Sequence, residues 1–268
     1  MNESAFGNLA DLVRRRAGIA LTPDKSHAIS RRLAPVAHVF GFRNSEALLA
    51  ELVHPQEELA RAVTEAITTQ DTSFFRDPAV FMHFEKEMLP ALTQARADRK
   101  RLRIWSAVCA TGQEAYSLAM LLDDSRPVAS GWNIDLIATD LSSQAIARAK
   151  EAVYSQYEIQ RGLSTTERSR HFSRDADGWR ATERLRRMVT FRTFNLLDHF
   201  GWLGEVDVIF CRNVLMYLAP EEKVGVLHKL SQTLAADGRL VLGATEGIAN
   251  SGSSFRPAAG PRGIFLKA

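Results

Sequence analysis

Two acidic side chains occupy positions at which an α/β protein could hold a nucleoside. Asp140 ends an apolar run, 134–140, that predicts a strand, and it follows Gly112 by 28 residues. An acid there commonly accepts hydrogen bonds from both ribose hydroxyls of an adenosine-type ligand. Glu114 falls in the first turn of the helix predicted after Gly112, where a carboxylate suits a cationic group and disfavours a pyrophosphate. Simpler roles stay open: Asp140 could cap a helix, although Ser142 competes for that position, and Glu114 could only complement the helix dipole.

The chain between the first predicted strand and this helix is built from small residues. The stretch 106–112 contains a single glycine, Gly112, so it does not match the G-x-G-x-x-G pattern that binds a dinucleotide pyrophosphate. Small side chains still let the backbone approach a ligand, and the helix N-terminus offers free N–H groups. An adenosine with a cationic amino-acid tail, and no phosphate-binding glycines, points to S-adenosylmethionine rather than NAD.

Two further segments carry more polar groups than a core needs. The stretch 68–78 places Arg76 directly after two phenylalanines, in a position from which it could close over the ligand. Asn213 and Tyr217 follow the predicted strand 206–211. In open α/β sheets, ligands bind beyond the carboxyl ends of the strands, where the strand order reverses. The alternatives are that the phenylalanines are core residues and that the second segment is a structural turn.

The two cysteines, Cys109 and Cys211, exclude a disulfide framework and a cysteine-rich zinc site. Each lies at the end of a predicted strand, and these two strands should be neighbours in the sheet. We interpret both thiols as core or cofactor-wall groups and neither as a nucleophile. The sequence predicts no metal site.

Composition narrows the class of protein further. The 268 residues include 34 basic and 31 acidic side chains, a net charge of +3 that is too small to indicate nucleic-acid binding. No apolar run approaches the roughly 18–20 residues that a membrane span needs. The first residues lack the basic and apolar regions of a signal peptide. These features predict a soluble, cytoplasmic protein that does not insert into a membrane.

The elements that would position these residues fall into two parts. Residues 1–70 predict helices only, because apolar residues recur at helical spacing between glycine and proline breaks. Residues 71–100 predict a linker and a lead-in helix. From residue 101, strands alternate with helices, which indicates a parallel sheet covered by helices on both faces. Within this part the polar, arginine-rich stretch 155–190 lacks a helical period and predicts an inserted subdomain or a long loop.

Two helices are predicted in enough detail to be checked residue by residue. The first has Thr22 as its cap and Pro23 in its first turn. Its apolar stripe consists of Ile29, Leu33, Val36 and Phe40. The second is opened by Pro220, is closed by Gly238 and turns inward Val224, Leu227, Leu230 and Leu234.

Charge is unevenly divided within the helical part. Residues 1–43 hold seven basic and three acidic side chains, whereas residues 44–70 hold one and five. The arginines of 14–16 and 31–32 predict either a solvated helix face or a docking face for an acidic partner.

Four blocks of this sequence, taken together, resemble the CheR-type chemotaxis receptor glutamate methyltransferases. They are 69–76 (T-Q-D-T-S-F-F-R), 105–119 (W-S-A-V-C-A-T-G-Q-E-A-Y-S-L-A), 137–141 with 194–196, and 209–217 (I-F-C-R-N-V-L-M-Y). The resemblance implies an α/β fold whose main part, 101–268, is a Rossmann-like class I S-adenosylmethionine-dependent methyltransferase domain. It also implies a small antiparallel β-subdomain inserted at 155–190 and a small all-helical N-terminal domain.

The resemblance implies roles for individual residues. It places the cofactor against Gln70, Thr72, Arg76, Ala107, Val108, Glu114, Asp140, Leu141, Asn195, Leu196, Arg212 and Asn213. Within this set, Glu114 would hold the methionine part and Asp140 the ribose. Arg76 and Tyr217 would position the substrate glutamate. A basic face of Lys25, Arg31 and Arg32 would meet the receptor.

The implied reaction moves a methyl group from S-adenosylmethionine to glutamate carboxylates, with S-adenosylhomocysteine as the second product. The implied substrate is the cytoplasmic helical bundle of methyl-accepting chemoreceptors, and the implied enzyme is a monomer that binds no nucleic acid. Family members that bind a receptor tail carry a Gly-x-Gly-type loop in the subdomain. Here 175–179 has one glycine, Gly178, which indicates action without a tail.

The chain departs from the family pattern near the cofactor. The family usually has Gly, Ser, Glu and Pro where this chain has Val108, Ala110, Gln113 and Ala115, and Asn where it has Gln70. These departures leave open a cofactor-binding regulator with weak or lost turnover. A nucleic-acid methyltransferase is the other alternative, but the amino-methylating enzymes of that class need a proline-containing motif, and 211–213 contains no proline.

Overall fold

A computed structural model of the chain describes residues 3–125, 127, 130–248 and 254–268. The first part is helical, with α1 (Glu3–Ala17), α2 (Ser26–Val39), α3 (Ser45–Ala50), α4 (Glu57–Ile67) and 3₁₀ turns at Pro23–Lys25 and Glu51–Val53. The apolar faces of these helices form one core around buried leucines and valines such as Leu9 and Val63. Asn44 caps α3 by accepting a hydrogen bond from the Ala47 amide at 2.9 Å. Helices are therefore found where the apolar spacing predicts them.

The second helix differs from its prediction in two details. Pro23 opens a 3₁₀ turn, and the Thr22 side chain makes no capping hydrogen bond. Ala37 is buried in the core, whereas Val36 and Phe40 are only half-buried. The buried positions of α2 are spaced by four residues, so Ala37 lies on the core line and its bulkier neighbours lie at the margin.

A lead-in helix connects this part to the sheet. It consists of α5 (Pro78–His83), a π-helical turn (Phe84–Met88) and α6 (Leu89–Ala95). Arg96, which follows α6, is buried and donates from Nε to Asp207 Oδ1 at 2.8 Å and from its terminal nitrogens to Asp237 at 2.5 Å. Because a buried guanidinium needs partners, these bonds fix the end of the lead-in helix to the sheet.

The strands are β1 (Arg101–Ser106), β2 (Asn133–Asp140), β3 (Val153–Tyr154), β4 (Phe172–Asp175), β5 (Gly178–Ala181), β6 (Val189–Thr193), β7 (Val206–Phe210), β8 (Leu234–Val241), β9 (Phe255–Pro257) and β10 (Ile264–Lys267). The described residues form a seven-stranded sheet in the order β6-β2-β1-β7-β8-β10-β9. The first five of these run parallel, and β10 is antiparallel to its two neighbours. Strand order reverses at β1, which lies between β2 and β7, so the ligand crevice is expected at their carboxyl ends. The predicted α/β architecture is confirmed.

Helices connect the parallel strands, as the alternating pattern predicts. They are α7 (Gln113–Asp123), α8 (Ser143–Glu151) and, after β7, a third helix at Pro220–Thr233. Before that third helix, the chain forms the inserted region between α8 and β6.

The inserted region contains the small antiparallel sheet that the resemblance implies, in the order β3-β5-β4. This stretch, whose sequence lacks a helical period, also contains three short helices, α9 (Gln156–Gln160), α10 (Thr165–His171) and α11 (Glu183–Arg187). The first two begin with capping boxes, Ser155 with Glu158 and Ser164 with Glu167. Helices of five to seven residues are too short to show a period, but this serine-glutamate spacing marks where they start.

The helix that Pro220 opens, α12 (Pro220–Thr233), ends earlier than predicted. Gly238 does not close it but lies within β8, and Val224 is 42% exposed instead of facing inward. A Cβ atom on Gly238 would come within 2.9 Å of a carbonyl oxygen of β7. This glycine therefore permits close strand packing at the irregular β7–β8 register.

Candidate active site

A cavity of about 330 Å³ lies between the helical part and the carboxyl ends of β1, β2 and β7. The α1–α2 connection and α2 form one wall, which the sequence patterns did not predict. Loops that follow the strands form the other wall. The lining residues are Ala17, Ile19, Ala20, Leu21, Lys25, Ala28, Ile29, Arg32, Ile67, Thr68, Thr69, Gln70, Val108, Asp140, Leu141, Phe194, Asn195, Leu196, Asn213, Val214, Tyr217 and Leu218.

Asp140 presents a buried carboxylate to this cavity at the end of β2. Its Oδ1 accepts from the Ser142 amide at 2.9 Å and its Oδ2 from the Ala110 amide at 2.9 Å. Burial nevertheless raises the pKa of Asp140, because desolvation outweighs these two bonds and a hydrogen bond from the Gln70 side chain. Ser142 Oγ accepts from the Ala145 amide at 3.2 Å, so Ser142 rather than Asp140 caps α8. Asp140 is therefore fixed in place and keeps lone pairs for a ligand.

Gln70 places an amide oxygen without a partner in the cavity wall. Its Nε2 donates to Thr68 Oγ1 at 3.0 Å, whereas its Oε1 is buried and has no hydrogen-bond partner among the described residues. Leaving a buried acceptor unsatisfied costs about 1–3 kcal/mol, which a ligand hydroxyl or amino group would recover. Gln70 is thus suited to bind a donor group of the ligand.

Glu114 and Arg212 form a buried ion pair outside the cavity lining. Arg212 Nη1 donates to Glu114 Oε2 at 3.0 Å, and Ser106 Oγ donates to Glu114 Oε1 at 2.8 Å.

Gly112, just before α7, has a φ of +97°, and a Cβ atom there would lie 2.9 Å from the Cβ of Ala149. Glycine is therefore required where the chain turns from β1 into α7.

Arg76 also lies outside the cavity lining. Its Nη1 donates to the carbonyl oxygen of Asp71 at 2.9 Å, and the Asp71 carboxylate pairs with Arg161 of the inserted region at 2.9 Å. The backbone amide of Phe75 donates to Ser117 Oγ at 2.9 Å, and Phe75 has a φ of +47°. The segment that carries Arg76 is therefore attached to both α7 and the inserted region.

Tyr217 and Asn213 bring the loop after β7 into the cavity wall. Asn213 has a φ of +59°, a left-handed conformation that asparagine tolerates better than most residues. The carbonyl oxygen of Tyr217 accepts from the Ala20 amide at 2.8 Å, which ties this loop to the helical part. Lys25 Nζ lies 5.9 Å from the centroid of the Tyr217 ring. A cation and a phenol thus share one side of the cavity.

Glu246, which the sequence patterns missed, lies in the loop after β8 and holds the loop after β7 in place. Its buried carboxylate accepts from the backbone amides of Asn213 at 2.6 Å, Met216 at 3.3 Å and Gly243 at 2.8 Å. A Cβ atom on Gly243 would lie 2.6 Å from Asn213 Nδ2, so a larger residue there would displace the Asn213 side chain. An acid shortly after a buried strand was the available signal, since β8 ends at the same edge as β7.

Asn195 and Leu196 line the cavity from the loop after β6. Asn195 Nδ2 donates to the Arg16 carbonyl oxygen at 2.6 Å, so its amide already has a partner in the helical part. Lys229 donates to the carbonyl oxygens of Leu196 at 2.6 Å and Leu197 at 2.8 Å, and burial lowers the pKa of Lys229. Lys229 is a second supporting residue that the sequence patterns missed.

The predicted basic face divides into residues with different surroundings. Arg32 Nη1 donates to the Ile67 carbonyl oxygen at 2.8 Å and to Thr69 Oγ1 at 3.1 Å, so it holds the start of the linker. All three residues are exposed, but only Lys25 and Arg32 line the cavity.

Cys109 and Cys211 are fully buried beyond the ends of the paired strands β1 and β7. Burial raises the pKa of both thiols well above the ordinary range, and neither lines the cavity. Of the two placements expected from the sequence, in the core or in the cofactor wall, the structure shows both thiols packed in the core. Within the described ranges, no group of three or more histidine, cysteine or acidic side chains could hold a metal ion.

The structure thus brings together part of the predicted cofactor site. Seven predicted residues line the cavity beside Tyr217: Gln70, Val108, Asp140, Leu141, Asn195, Leu196 and Asn213. Five lie outside the lining: Thr72, Arg76, Ala107, Glu114 and Arg212. A carboxyl group, an unpartnered amide oxygen and apolar walls suit the ribose edge and flat base of a nucleoside.

Comparison with known proteins identifies close relatives along the whole chain. Residues 70–264 match the family described as "CheR methyltransferase, SAM binding domain", and residues 4–68 match "CheR methyltransferase, all-alpha domain". Chemotaxis protein methyltransferase 1 of Pseudomonas aeruginosa is 34% identical, over 96% of this chain and 94% of that protein. A chemotaxis protein methyltransferase of Vibrio parahaemolyticus is 31% identical, over 100% of this chain and 98% of that protein. An rRNA methyltransferase structure from Streptomyces viridochromogenes is similar over 75% of this chain and 87% of that chain, with 15% identity and a TM-score of 0.44.

Across the parts of the chain that the structure describes, we find no helix with the length and apolar character needed to cross a membrane.

Proposed function

The chain belongs to the CheR methyltransferase family, and we propose that it transfers the methyl group of S-adenosylmethionine to glutamate side-chain carboxylates of chemoreceptors. The products are glutamate methyl esters and S-adenosylhomocysteine. One observation carries the proposal: the buried Asp140 carboxylate lies in a nucleoside-sized cavity that Tyr217 also lines. The names of the relatives support the receptor as substrate. No observation favours a nucleic-acid substrate or a regulator without turnover.

The residues of the cavity fit S-adenosylmethionine. Asp140 has free lone pairs for the ribose hydroxyls, and the orphaned Oε1 of Gln70 can accept from a donor of the ligand. Val108 and Leu196 supply apolar walls for the adenine. Glu114 is the proposed partner of the methionine amino group, although it lies outside the lining. Bound S-adenosylmethionine supplies a methyl group on a positively charged sulfur, which is the electrophile of the reaction.

The acceptor needs placement rather than deprotonation. A glutamate side chain has a pKa of about 4.3 and is already an anion at neutral pH, so no general base is required. The protein must desolvate the carboxylate and hold one oxygen in line with the methyl group. We propose that the Tyr217 hydroxyl donates a hydrogen bond to the second oxygen, because Tyr217 lines the cavity and is partly exposed to an incoming chain.

Arg76 is the second proposed contact to the acceptor. Its guanidinium donates to the Asp71 carbonyl oxygen, and the contact requires that it exchange this bond for the carboxylate. A bidentate clamp would withdraw charge from both carboxylate oxygens and lower their nucleophilicity. We therefore propose a single, angled hydrogen bond from Arg76. The proposed substrate is the receptor's helical bundle, which lies in the cytoplasm. We therefore propose that this protein acts in the cytoplasm, as a monomer.

A radiolabelled-methyl transfer assay tests the proposal. The purified chain is incubated with labelled S-adenosylmethionine and a soluble receptor signalling fragment, and alkali-labile label on the fragment measures methyl esters. We expect transfer by the wild type and a loss of about tenfold or more for Arg76→Ala and Tyr217→Phe, the size expected when a substrate-positioning contact is removed. Tyr157→Phe, a change at a tyrosine that is 72% exposed, is the matched control and should retain activity.

Two outcomes would contradict the proposal in different ways. Near wild-type turnover of Arg76→Ala would remove the role of Arg76. Binding of S-adenosylhomocysteine without any transfer to the receptor would instead support the regulator alternative.

A further inference from the structure

Arg212 is a buried cation that contacts both the proposed cofactor partner and the segment that carries Arg76. Its side chain is 2% exposed. Nη1 donates to Glu114 Oε2 at 3.0 Å, and Nη2 donates to the carbonyl oxygen of Arg76 at 2.9 Å and to the Asp77 carboxylate. One planar guanidinium thus bridges the start of α7 and the linker before α5.

The conformation of the linker shows why it needs such a partner. Both Phe75 and Asp77 have positive φ values, +47° and +61°. Aspartate tolerates the left-handed conformation, but at a bulky residue such as Phe75 it is strained and persists only when the surroundings fix it. Arg212 donates to the carbonyl oxygen of the peptide group between Arg76 and Asp77 and to the Asp77 side chain. Arg212 therefore holds in place the backbone from which the Arg76 side chain extends.

The charges of this cluster do not balance within the protein. Glu114 and Asp77 carry two negative charges, and Arg212 carries one positive charge. Glu114 is 10% exposed, whereas Asp77 is 42% exposed and partly solvated. A cationic amino group beside Glu114 would neutralise the excess. How strongly Glu114 attracts that group depends on how far Asp77 draws the guanidinium towards itself.

We propose that Arg212 is a positioning residue that couples the two ends of the active site, rather than a wall of the adenosine site. It orients Glu114 towards the amino group of the cofactor, and it fixes Arg76 for the acceptor. Asp77 then influences cofactor affinity through Arg212, although Asp77 does not line the cavity. This inference rests on the proposed function, since it assigns Glu114 and Arg76 to the two substrates.

The test measures S-adenosylhomocysteine affinity by calorimetry in a double-mutant cycle. Asp77→Asn in the wild-type background should weaken binding about threefold or more, because Arg212 then neutralises Glu114 more fully. In the Arg212→Met background the same Asp77→Asn change should have no effect. Asp98→Asn, at an exposed aspartate elsewhere on the surface, is the matched control and should leave affinity unchanged in both backgrounds.

Arg212→Lys gives a second readout if Arg212→Met fails to fold. Lysine keeps the charge but cannot reach three acceptors with one planar fork. We expect cofactor affinity between those of wild type and Glu114→Gln, and a KM for the receptor that rises more than kcat falls. Arg212 Nε is buried and has no hydrogen-bond partner among the described residues. The same is true of Nε in the partly buried Arg186, which supplies the control Arg186→Lys.

The outcomes separate this inference from the proposed function. If Asp77→Asn leaves S-adenosylhomocysteine affinity unchanged, or weakens it equally in the wild-type and Arg212→Met backgrounds, Arg212 does not transmit its effect and the inference is wrong. If the wild type binds no S-adenosylhomocysteine, the proposed function itself fails.

Discussion

Asp140 must keep a charge in surroundings that disfavour it. Its side chain is buried, and desolvation raises its pKa even though two backbone amides and the Gln70 side chain donate to it. The nearby Glu65 carboxylate raises the pKa further. Since the folded pKa lies above the unfolded value, the ionised form costs folding free energy above the folded pKa, and this cost disappears as the pH falls through it. We expect the opposite dependence for ligand binding, because in the proposed site the ribose hydroxyls need the Asp140 carboxylate as acceptor.

Measuring ligand affinity over a series of pH values tests whether binding depends on the ionised form of Asp140. We expect S-adenosylhomocysteine binding to weaken as the pH falls from about 7 through the raised pKa of Asp140, at a higher pH than an exposed aspartate would require. Asp140→Asn should bind weakly at every pH and show a flat profile. Calorimetric titration at each pH provides both curves. A wild-type profile as flat as that of Asp140→Asn would show that ionisation of Asp140 does not control binding.

Asp140 and Arg212 also show what residue types can reveal before a structure is known. Asp140 is predictable because it ends an apolar run, and the carboxyl end of a strand is where such sheets bind ligands. The partnership of Arg212 with Glu114 is not, because these residues are 98 positions apart and only the fold brings them together. In the structure, the Arg212 guanidinium donates to the carboxylates of Glu114 and Asp77.

At the scale of elements, the loop after β7 depends on an acid from the loop after β8. Glu246 accepts from three backbone amides, two of them in the loop that carries Asn213 and Tyr217. Hydrogen bonds to a charged acceptor contribute about 1.5–3 kcal/mol each. The position of Tyr217 is therefore set by an element that makes no contribution to the cavity lining among the residues described.

Glu246→Gln tests this dependence. The glutamine amide keeps one acceptor oxygen, but its NH2 group replaces the other oxygen and faces backbone N–H groups that also donate. We therefore expect the free energy of unfolding in urea to fall by about 1–3 kcal/mol. Receptor methylation should fall further than the loss of folded protein explains, because Tyr217 shifts. Glu205→Gln, at an exposed glutamate, is the control. Unchanged methylation in Glu246→Gln would show that Tyr217 does not depend on this contact.

Helices and strands are predictable where a long periodic run of apolar residues buries one face. They are not predictable from periodicity where a close backbone contact or a helix cap determines the structure. The parallel strands and the longer helices follow from apolar spacing. Glycine commonly ends helices, so the sequence predicts a helix stop at Gly238, whereas in the structure this glycine permits contact between β7 and β8. The short helices of the inserted region depend on capping boxes rather than on a period.

At the scale of the whole molecule, the helical part and the sheet build the cavity together. The Ala20 amide donates to the Tyr217 carbonyl oxygen at 2.8 Å, and the Ala219 amide donates to the Gly18 carbonyl oxygen at 2.7 Å. Periodicity could not predict this contact, because it joins two irregular segments. Part of the basic charge of the helical part is neutralised at this contact, because Arg14 Nη2 lies 3.0 Å from Glu221 Oε2 of α12.

The remaining exposed charge of the helical part provides the test of receptor docking. Arg31 is exposed, whereas Arg32 holds the linker, so reversal of Arg31 alone separates docking from structure. We expect Arg31→Glu to raise the KM for the receptor fragment about three- to tenfold at low ionic strength and less at high salt. Affinity for S-adenosylhomocysteine should not change, because Arg31 does not line the cavity. Arg43→Glu makes the same charge change at another exposed arginine of the helical part. An equal KM increase in Arg43→Glu would assign the effect to net charge instead of to a docking face at Arg31.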